Sequence, residues 1–189
     1  MKINRFILSA ILIASAWSTD AQIPAKVENF NVTDVRLTSG AFKHAEDMDL
    51  RYILAMDPDR LLAPYLKEAG LEPKAENYTN WENTGLDGHV GGHYLSALAY
   101  MYAATGDQEI KGRLDYYISE LKHCADANGN GYLSGVSDGK NRIWKEISEG
   151  NIRAASFGLN DGWVPLYNIH KIYAGLRDAY LITGSKDAK

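Results

Sequence analysis

The sequence predicts an all-α fold in which helical hairpins pack side by side as an incomplete α/α toroid, with one β-strand near the N-terminus. Residues 94–104 are apolar on nearly every side, so a helix there must be covered on most of its surface. A shift of 78 residues reveals an internal repeat, in which Leu98, Tyr102, Thr105 and Gly106 match Leu176, Tyr180, Thr183 and Gly184. Two such units cannot cover helices this apolar, so further hairpins are expected to close the ring.

The N-terminus, residues 1–21, has the pattern of a secretory signal peptide. Lys2 and Arg5 precede an apolar run at 6–17, and a short stretch ending in alanine separates that run from Gln22. The run is too short to span a bilayer, and no cysteine lies near the cleavage region. We therefore expect an exported protein, periplasmic or secreted, with no membrane partner and with residues 22–189 as its mature chain.

Charge and cysteine content exclude several classes of protein. The chain has 20 basic and 24 acidic side chains, a formal net charge of −4 and no basic cluster, so nucleic acid is not expected as a partner. Cys124 is the single cysteine, which rules out an intrachain disulfide and a cysteine-based metal site within these residues. It follows an amphipathic stretch and is expected in the core.

The N-terminal half of the mature chain is expected to hold the strand and two helices. Residues 30–37 alternate apolar and polar side chains, which predicts the strand. A helix is predicted at 41–56 and ends at an aspartate-proline pair. A second helix is predicted at 58–69 with Gly70 as its C-cap, followed by a loop at 72–85.

The apolar helix that contains residues 94–104 carries one polar stripe. Its four more polar positions fall on one line along the helix, namely His89, His93, Ser96 and Tyr100. Gly91 and Gly92, adjacent in the first turn, each lower helix propensity by about 1 kcal/mol. They are expected where that turn meets another backbone or leaves room for a ligand. A buried helix with one polar stripe predicts the wall of a pocket.

The C-terminal half is predicted to contain an outer helix at 107–125, a glycine-rich connection at 128–163 with a short helix near 142–148, and a last helix at 164–183. The last helix is expected to form one apolar arc from Leu166, Ile169, Ile172, Tyr173, Leu176 and Tyr180. The sequence stops where the second outer helix should begin, so we expect an N-terminal fragment of the toroidal domain.

Three interpretations of the His89-x-x-x-His93 pair stay open. The helical spacing lets two imidazoles share a metal, but a zinc site requires a third protein ligand, and Val90 stands where the zincin motif has glutamate. The pair is alternatively structural, with both imidazoles hydrogen-bonded between packed helices. Ligand contact in a polar pocket is the third interpretation, which the shared stripe with Ser96 and Tyr100 favours.

Carboxylates, tryptophans and a short Asp/Asn-rich turn are further candidates. Glu82 and Asp87 flank the entry to the apolar helix, where a carboxylate serves as acid/base, hydroxyl ligand or helix cap. Tryptophans on predicted loops are candidate sugar-stacking platforms. These are Trp81, Trp144 and Trp163. Residues 126–131 begin like a calcium-binding loop, but Ser137 occupies the position of the bidentate glutamate, so a glycine turn is preferred.

Four segments, in order along nearly the whole mature chain, carry a more specific signal. They are MDPDRLLAPYLKEAGL (56–71), NWENTGLDGHVGGHYLSALAYMYAATGD (80–107), DANGNGYLSGV (126–136) and NDGWVPLYNIHKIYAGLRDAY (160–180). Together they resemble the β-L-arabinofuranosidases of glycoside hydrolase families 127 and 146. The resemblance implies an (α/α)6 barrel, of which this chain is the incomplete N-terminal part, followed by β-sandwich domains. It also implies a retaining glycoside hydrolase acting on arabinose-containing oligosaccharides or polysaccharides of plant origin.

The resemblance further implies the roles of individual residues. The family nucleophile is a cysteine thiolate held by zinc with glutamate and further cysteine ligands, and a glutamate is the acid/base. All of these positions are expected beyond residue 189, so this chain is expected to lack catalytic and metal-binding residues and to be inactive alone. His170 matches the family histidine that contacts the sugar. The other residues predicted to bind substrate are His93, His89, Asp87, Trp163 and Tyr167.

Two other functions are compatible with the sequence. A polysaccharide lyase of toroid fold requires a Tyr or His base and positive groups beside a uronate, for which Lys171 and Arg177 are the candidates on the last helix. A helical protein that binds glycans without cleaving them requires only the pocket. Release of free arabinose, formation of an ultraviolet-absorbing product, or binding without turnover distinguishes the three functions.

Overall fold

The computed structural model describes residues 28–189, and the elements below belong to one unit, Asn31–Lys189. This unit is mainly helical. Its helices are α1 (Gly40–Ala55), α2 (Pro58–Glu68), α3 (His89–Thr105), α4 (Gln108–Asn128), α5 (Trp144–Ser148) and α6 (Pro165–Thr183). Short 3-10 turns lie at Val32–Asp34 and Asn80–Asn83, and one π-helical turn lies at Gly139–Ile143. The predicted signal peptide, residues 1–21, lies outside the described residues.

Helices α1 and α2 meet at the predicted aspartate-proline pair. The side chain of Asp57 accepts a hydrogen bond from the backbone N–H of Asp59 at 2.9 Å, and Pro58 opens α2, where a missing N–H costs nothing. Gly70 follows the end of α2 in the left-handed region, with φ +75°. The Tyr65 hydroxyl donates to the carbonyl of Gly88 and so ties α2 to the start of α3.

Helices α3 and α6 pack along most of their length, and glycines let their backbones approach closely. A Cβ on Gly92 would lie 2.5 Å from the backbone nitrogen of Ile172, and a Cβ on Gly175 would lie 2.7 Å from the carbonyl oxygen of Gly92. Neighbouring Gly91 faces the opposite side, where a Cβ would overlap the Tyr117 hydroxyl. The prediction that the glycine turn of α3 meets another backbone is therefore confirmed.

Helices α3 and α4 form a hairpin through a tight turn. Gly106 ends α3 with φ +72°, and the Asp107 carboxylate caps α4 by accepting hydrogen bonds from two backbone N–H groups. The residues that α4 buries are Ile110, Leu114, Tyr117, Ile118, Leu121 and Cys124. Burial raises the pKa of the Cys124 thiol to about 12, as expected for a cysteine in the core.

The predicted N-terminal strand is wrong. Residues 30–37 are all described, and they form the 3-10 turn with extended backbone on either side rather than a paired strand. The side chain of Asn31 accepts a hydrogen bond from the N–H of Thr33 at 3.1 Å. This local bond caps the turn and uses an N–H group that strand pairing would require. The strands that do form lie in the predicted connection, as an antiparallel sheet of β1 (Ala154–Ala155), β2 (Gly158–Leu159) and β3 (Gly162–Trp163).

The buried side of α6 differs from the predicted apolar arc. The residues that α6 buries are Pro165, Asn168, Ile172, Gly175 and Ala179. From the predicted arc only Ile172 is buried, whereas Leu166 and Tyr173 are exposed. The reason is the close approach of α3, because only small side chains fit between two helix backbones at this separation.

The described helices therefore place α3 in contact with α1, α2, α4 and α6. They account for one hairpin, α3–α4, and for the first helix of the next repeat, α6. Closure into an (α/α)6 barrel stays a prediction. Within residues 28–189, no helix combines the length and the apolar character that crossing a bilayer requires.

Candidate functional site

The loop before α3 places a buried carboxylate at the start of that helix. Glu82 is 3% exposed and accepts hydrogen bonds from the backbone N–H groups of Gly88 and Val90, each at 2.9 Å. The first N–H groups of a helix lack partners within it and form the positive end of its dipole, so a carboxylate there is stabilised. Of the two acidic residues that flank this entry, Glu82 is the helix cap.

His89 is held by the same carboxylate. Its Nδ1 lies 2.6 Å from Glu82 Oε1 and 2.8 Å from the carbonyl oxygen of Leu86. Both partners are acceptors, so Nδ1 carries a proton and Nε2 is the nitrogen left to meet a ligand. Burial disfavours the imidazolium, but the Glu82 carboxylate and the Leu86 carbonyl outweigh it and raise the pKa of His89 above its ordinary value. His89 is thus a fixed imidazole that protonates more readily than a free histidine.

His93, one turn further along α3, has the opposite character. Its ring centroid lies 6.3 Å from that of His89, and the two ring planes are 86° apart. Partial desolvation, followed by the positive charges of Lys171, His89 and His170, lowers the pKa of His93. The site therefore offers two neighbouring imidazoles whose pKa values are shifted in opposite directions.

Helix α6 brings Tyr167, His170 and Lys171 to the side on which His93 lies. The ring centroid of Tyr167 is 6.3 Å from that of His89, and the Lys171 ammonium lies 4.4 Å from the centroid of the Tyr167 ring. His170 is exposed, and it is one of the charges that act on His93. Residues of α6 therefore lie beside the two histidines of α3, of which His93 is exposed and His89 is buried.

Two tryptophans from separate loops complete this region. The Trp81 ring centroid lies 6.0 Å from that of His89 and 6.4 Å from that of Trp163, with the two indoles edge to face. Trp163 is the last residue of β3, so the small antiparallel sheet carries it to this position. Both indoles are exposed. Together, Trp81, His89, His93, Trp163 and Tyr167 are named the aromatic–imidazole cluster.

Two of the candidates from the sequence lie elsewhere. Asp87 is buried, its carboxylate accepts a hydrogen bond from the Gly85 N–H at 3.0 Å, and it lines a separate cavity of about 480 Å³ beside α2. Burial raises the pKa of the Asp87 carboxyl. Trp144 begins α5, the short helix predicted near 142–148, and its indole N–H donates to the Tyr132 hydroxyl at 3.1 Å. Substrate binding by Asp87 stays a prediction, and its carboxylate is not part of the aromatic–imidazole cluster.

Sequence reasoning did not identify Glu82 as the partner of His89, nor Trp81 as the neighbour of Trp163. The sequence did contain a signal for this site. A tryptophan-glutamate pair follows Asn80 and lies shortly before a helix with two histidines. Asparagine tolerates left-handed backbone, so a sharp turn at this position was foreseeable. That signal does not give distances, because both contacts depend on how two irregular loops fold.

The zinc site that the family resemblance implies does not fit the described residues. Within residues 28–189, no group of three or more His, Cys, Asp or Glu side chains is arranged to hold a metal ion. Nδ1 of His89 already meets Glu82 and Leu86. The thiol of Cys124 is buried, and its raised pKa keeps it protonated. These residues therefore supply neither a zinc site nor an activated thiolate.

Comparison with known proteins identifies the family. The family model described as β-L-arabinofuranosidase, GH127 catalytic domain, matches residues 34–188, which include α1 to α6 and every member of the aromatic–imidazole cluster. A search of curated proteins finds no match. Because the family model covers well over half of the sequence, the chain belongs to the GH127 β-L-arabinofuranosidase catalytic-domain family of glycoside hydrolases.

Proposed function

We propose that the aromatic–imidazole cluster binds an L-arabinofuranose unit of a plant glycan, in an exported β-L-arabinofuranosidase that retains anomeric configuration. Membership of a glycoside hydrolase family supports the reaction class. The observation that carries the binding role is His89, which the buried Glu82 fixes among exposed aromatic rings. A rigid polar group surrounded by aromatic faces is typical of a small-ligand site.

Hydrogen bonding at the two imidazoles supports a hydroxyl-rich ligand. Nε2 of His89 donates a hydrogen bond when the ring is protonated and accepts one when the ring is neutral, and a neutral His93 has one donor and one acceptor nitrogen. A sugar hydroxyl donates and accepts, so it satisfies either histidine. A buried polar group without a partner costs about 1–3 kcal/mol, so a ligand that lacks hydroxyls at these positions binds weakly.

The aromatic rings support a sugar for a different reason. Trp81, Trp163 and Tyr167 present apolar faces at an exposed surface. A furanose ring carries C–H groups between its hydroxyls, and these pack against such faces while the hydroxyls reach the imidazoles. The cluster therefore matches both the apolar and the polar parts of a neutral sugar.

Lys171 is the one observation that favours a polysaccharide lyase, because its ammonium lies at the Tyr167 ring. A lyase requires positive charge gathered at a uronate. The second candidate, Arg177, lies six residues further along α6 and 3.7 Å from the Asp178 carboxylate. One ammonium over the Tyr167 ring is less positive charge than a uronate site gathers, so a neutral sugar is the better match.

Bond cleavage is proposed to depend on groups outside the described residues. A retaining hydrolase requires a nucleophile and an acid/base. The family resemblance assigns these roles to a zinc-bound cysteine thiolate and to a glutamate. Glu82 is unsuited to the acid/base role, because its two oxygens already accept from Gly88, Val90 and His89. The proposed role of this chain is to bind and orient the sugar.

Calorimetric titration of the full chain with methyl β-L-arabinofuranoside tests the binding role. His93→Ala and His170→Ala are each expected to weaken binding about tenfold, which corresponds to the loss of one good hydrogen bond. His123→Ala, which removes an exposed histidine of α4, is the matched control and is expected to bind like the unmodified chain. Equal affinities in all four proteins would contradict the proposal.

A turnover assay on the protein that contains these residues separates the proposed reaction from its alternatives. Released L-arabinose is the expected product. An unsaturated product that absorbs ultraviolet light would identify a lyase. Sugar binding without either product would identify a glycan-binding protein.

A further inference from the structure

A second cleft adjoins the aromatic–imidazole cluster on the side of α1. Its volume is about 810 Å³, within the range of roughly 300–1,000 Å³ typical of small-ligand sites. Helix α1 contributes one wall and the loop before α3 contributes the other. The principal lining residues are Tyr52, Tyr78, Asn80, Trp81, Glu82 and His89. This space is named the α1-side cleft.

We propose that the α1-side cleft is a second sugar subsite, which binds the glycan residue next to the one in the aromatic–imidazole cluster. The inference rests on the proposed function, because it takes the cluster as the place of the first sugar. The two sites are contiguous, since Trp81 and His89 line the cleft and also belong to the cluster, with ring centroids 6.0 Å apart. One glycan chain can therefore occupy both sites along a continuous surface.

The loop before α3 holds Trp81 in place although 62% of this residue is exposed. Asn80 has left-handed backbone, with φ +64°, and its carbonyl accepts a hydrogen bond from the Thr84 hydroxyl at 2.9 Å. The side chain of Asn77 donates to the carbonyl of Glu82 at 2.9 Å. Asparagine tolerates left-handed backbone better than most residues, and these two hydrogen bonds add to the constraint on the loop. The loop thus presents a large aromatic face to solvent at a fixed position.

Two tyrosines add further aromatic surface to the cleft. The Tyr78 hydroxyl accepts a hydrogen bond from the N–H of Asp57 at 3.0 Å, and the Arg60 guanidinium lies 4.0 Å from the Tyr78 ring centroid. Tyr78 is therefore a fixed wall. Tyr52 projects from α1 and is 68% exposed. The two tyrosines come from separate elements, so they can pack against C–H groups on different sides of one sugar ring.

The charges in the cleft favour a neutral occupant. Among the described residues that line it, the acidic and basic side chains are Glu82 and His89, and these pair with each other. Thr79, Asn80 and Thr84 add uncharged hydrogen-bonding groups. A phosphate or a uronate would meet no lysine or arginine among these lining residues. A neutral sugar residue is therefore the ligand that the cleft matches.

Calorimetric titration of the full chain with methyl β-L-arabinofuranoside and with an arabinofuranosyl disaccharide tests the second subsite. The disaccharide is expected to bind roughly five- to tenfold more tightly, which is the gain from aromatic contacts with one more ring. Trp81→Ala and Tyr52→Ala are expected to remove most of this gain. Tyr52→Ala should leave monosaccharide affinity within about twofold, since Tyr52 lies outside the cluster. Tyr173→Ala, an exposed aromatic position on α6, is the matched control and should change neither affinity.

The second subsite and the proposed function fail in distinguishable ways. If the unmodified chain binds the monosaccharide but gains nothing from the second sugar, the subsite is overturned and the proposed function stands. If the unmodified chain binds neither sugar, both are overturned. If Tyr52→Ala weakens monosaccharide and disaccharide binding equally, the cleft holds the first sugar and the assignment is overturned. Tyr52 is exposed, so circular dichroism of this variant is expected to match the unmodified chain.

Discussion

Helices α3 and α6, which the 78-residue repeat relates, end in the same way but begin in different ways. At the end of α3, the Thr105 hydroxyl donates to the carbonyl four residues earlier at 2.7 Å, and Gly106 follows with φ +72°. At the end of α6, the Thr183 hydroxyl makes the same bond at 2.7 Å, and Gly184 follows with φ +71°. Each glycine N–H then closes its helix through a 2.8 Å bond to a tyrosine carbonyl.

Both helices start after a residue with left-handed backbone, but the residue type and the capping group differ. Helix α3 begins after a left-handed Gly88 and is capped by the Glu82 carboxylate. Helix α6 begins after Val164, a β-branched residue at φ +39°. This backbone conformation costs energy at a β-branched residue and persists only where the surrounding structure holds it. The loops at these two starts bring the indoles of Trp81 and Trp163 to a centroid distance of 6.4 Å. The repeat therefore determines where the helices stop, and the unrepeated loops determine what the candidate site contains.

The largest effect is expected where the N-terminal part of α3 meets α6. In Gly92→Ala the new Cβ would lie 2.5 Å from the backbone nitrogen of Ile172, so the two helices must separate. Overpacking a buried contact typically costs about 1–3 kcal/mol, and a clash with backbone lies at the upper end because no side chain can move aside. We expect the free energy of unfolding, measured by urea denaturation, to fall by about 3 kcal/mol.

Gly112→Ala in α4 is the matched control for this variant. A Cβ on Gly112 meets nothing within 4 Å, so the substitution should stabilise the protein by up to about 1 kcal/mol through helix propensity. If the two alanine variants were equally stable, α3 and α6 would not share a close backbone contact. The relative position of His93 and Tyr167 would then require another explanation.

An intermediate effect is expected from Glu82→Gln, which removes the charge that distinguishes the start of α3. The amide keeps the size of the side chain, but it presents an NH2 group where the buried N–H groups of Gly88, Val90 and His89 require acceptors. A buried donor without a partner costs about 1–3 kcal/mol, so we expect a loss of about 2 kcal/mol in unfolding free energy at pH 6. Urea denaturation measures this loss, and Glu76→Gln at an exposed position is the control.

The same variant should change how stability depends on pH. Because the folded protein raises the pKa of His89, protonation of this imidazole stabilises the fold fully below the unfolded-state value of 6.5. That stabilisation is lost as the pH rises from there through the folded-state pKa. In Glu82→Gln this loss should shrink, and NMR titration should show His89 protonating at lower pH than in the unmodified chain. An unchanged pKa of His89 would refute the pairing.

Local signals predicted the helices well because each is set by neighbouring residues. The capping aspartate at 57 and the threonine-glycine turns are complete within a few positions, so the predicted bounds of α1, α2 and α6 differ from the observed ones by at most one residue. The strand at 30–37 failed because alternation does not supply a partner strand, and the Asn31 turn formed instead. The buried side of α6 was predicted wrongly because a periodicity argument places the large apolar side chains in the core. The close approach of α3 instead requires a small residue at the contact, and Gly175 lies there.

The candidate site was predictable only as far as helical periodicity reaches. His89 and His93 share a face because they lie one turn apart on α3, and the structure places both in the aromatic–imidazole cluster. Asp87, two residues before His89, lies in the irregular backbone ahead of the helix and faces a separate cavity. The pairing of Glu82 with His89 and the approach of the two tryptophans depend on long-range loop geometry, which residue spacing does not encode.

The smallest effect is expected from Thr105→Val and Thr183→Val, which test the shared ends of the two helices. Valine keeps the β-branched shape but removes the hydroxyl that donates at 2.7 Å in each helix. Each hydroxyl also accepts a longer bond, from the Asp107 N–H at 3.1 Å and from the Ser185 N–H at 3.2 Å. One intramolecular hydrogen bond contributes about 0.5–1.5 kcal/mol, and water can replace the lost acceptor at these partly exposed turns, so each variant should lose about 1 kcal/mol and the double variant about twice that. If Thr105→Val lowered the unfolding free energy and Thr183→Val did not, the two helix ends would share a geometry but contribute differently to stability. Sugar affinity should not change, because the cluster lies at the opposite ends of α3 and α6.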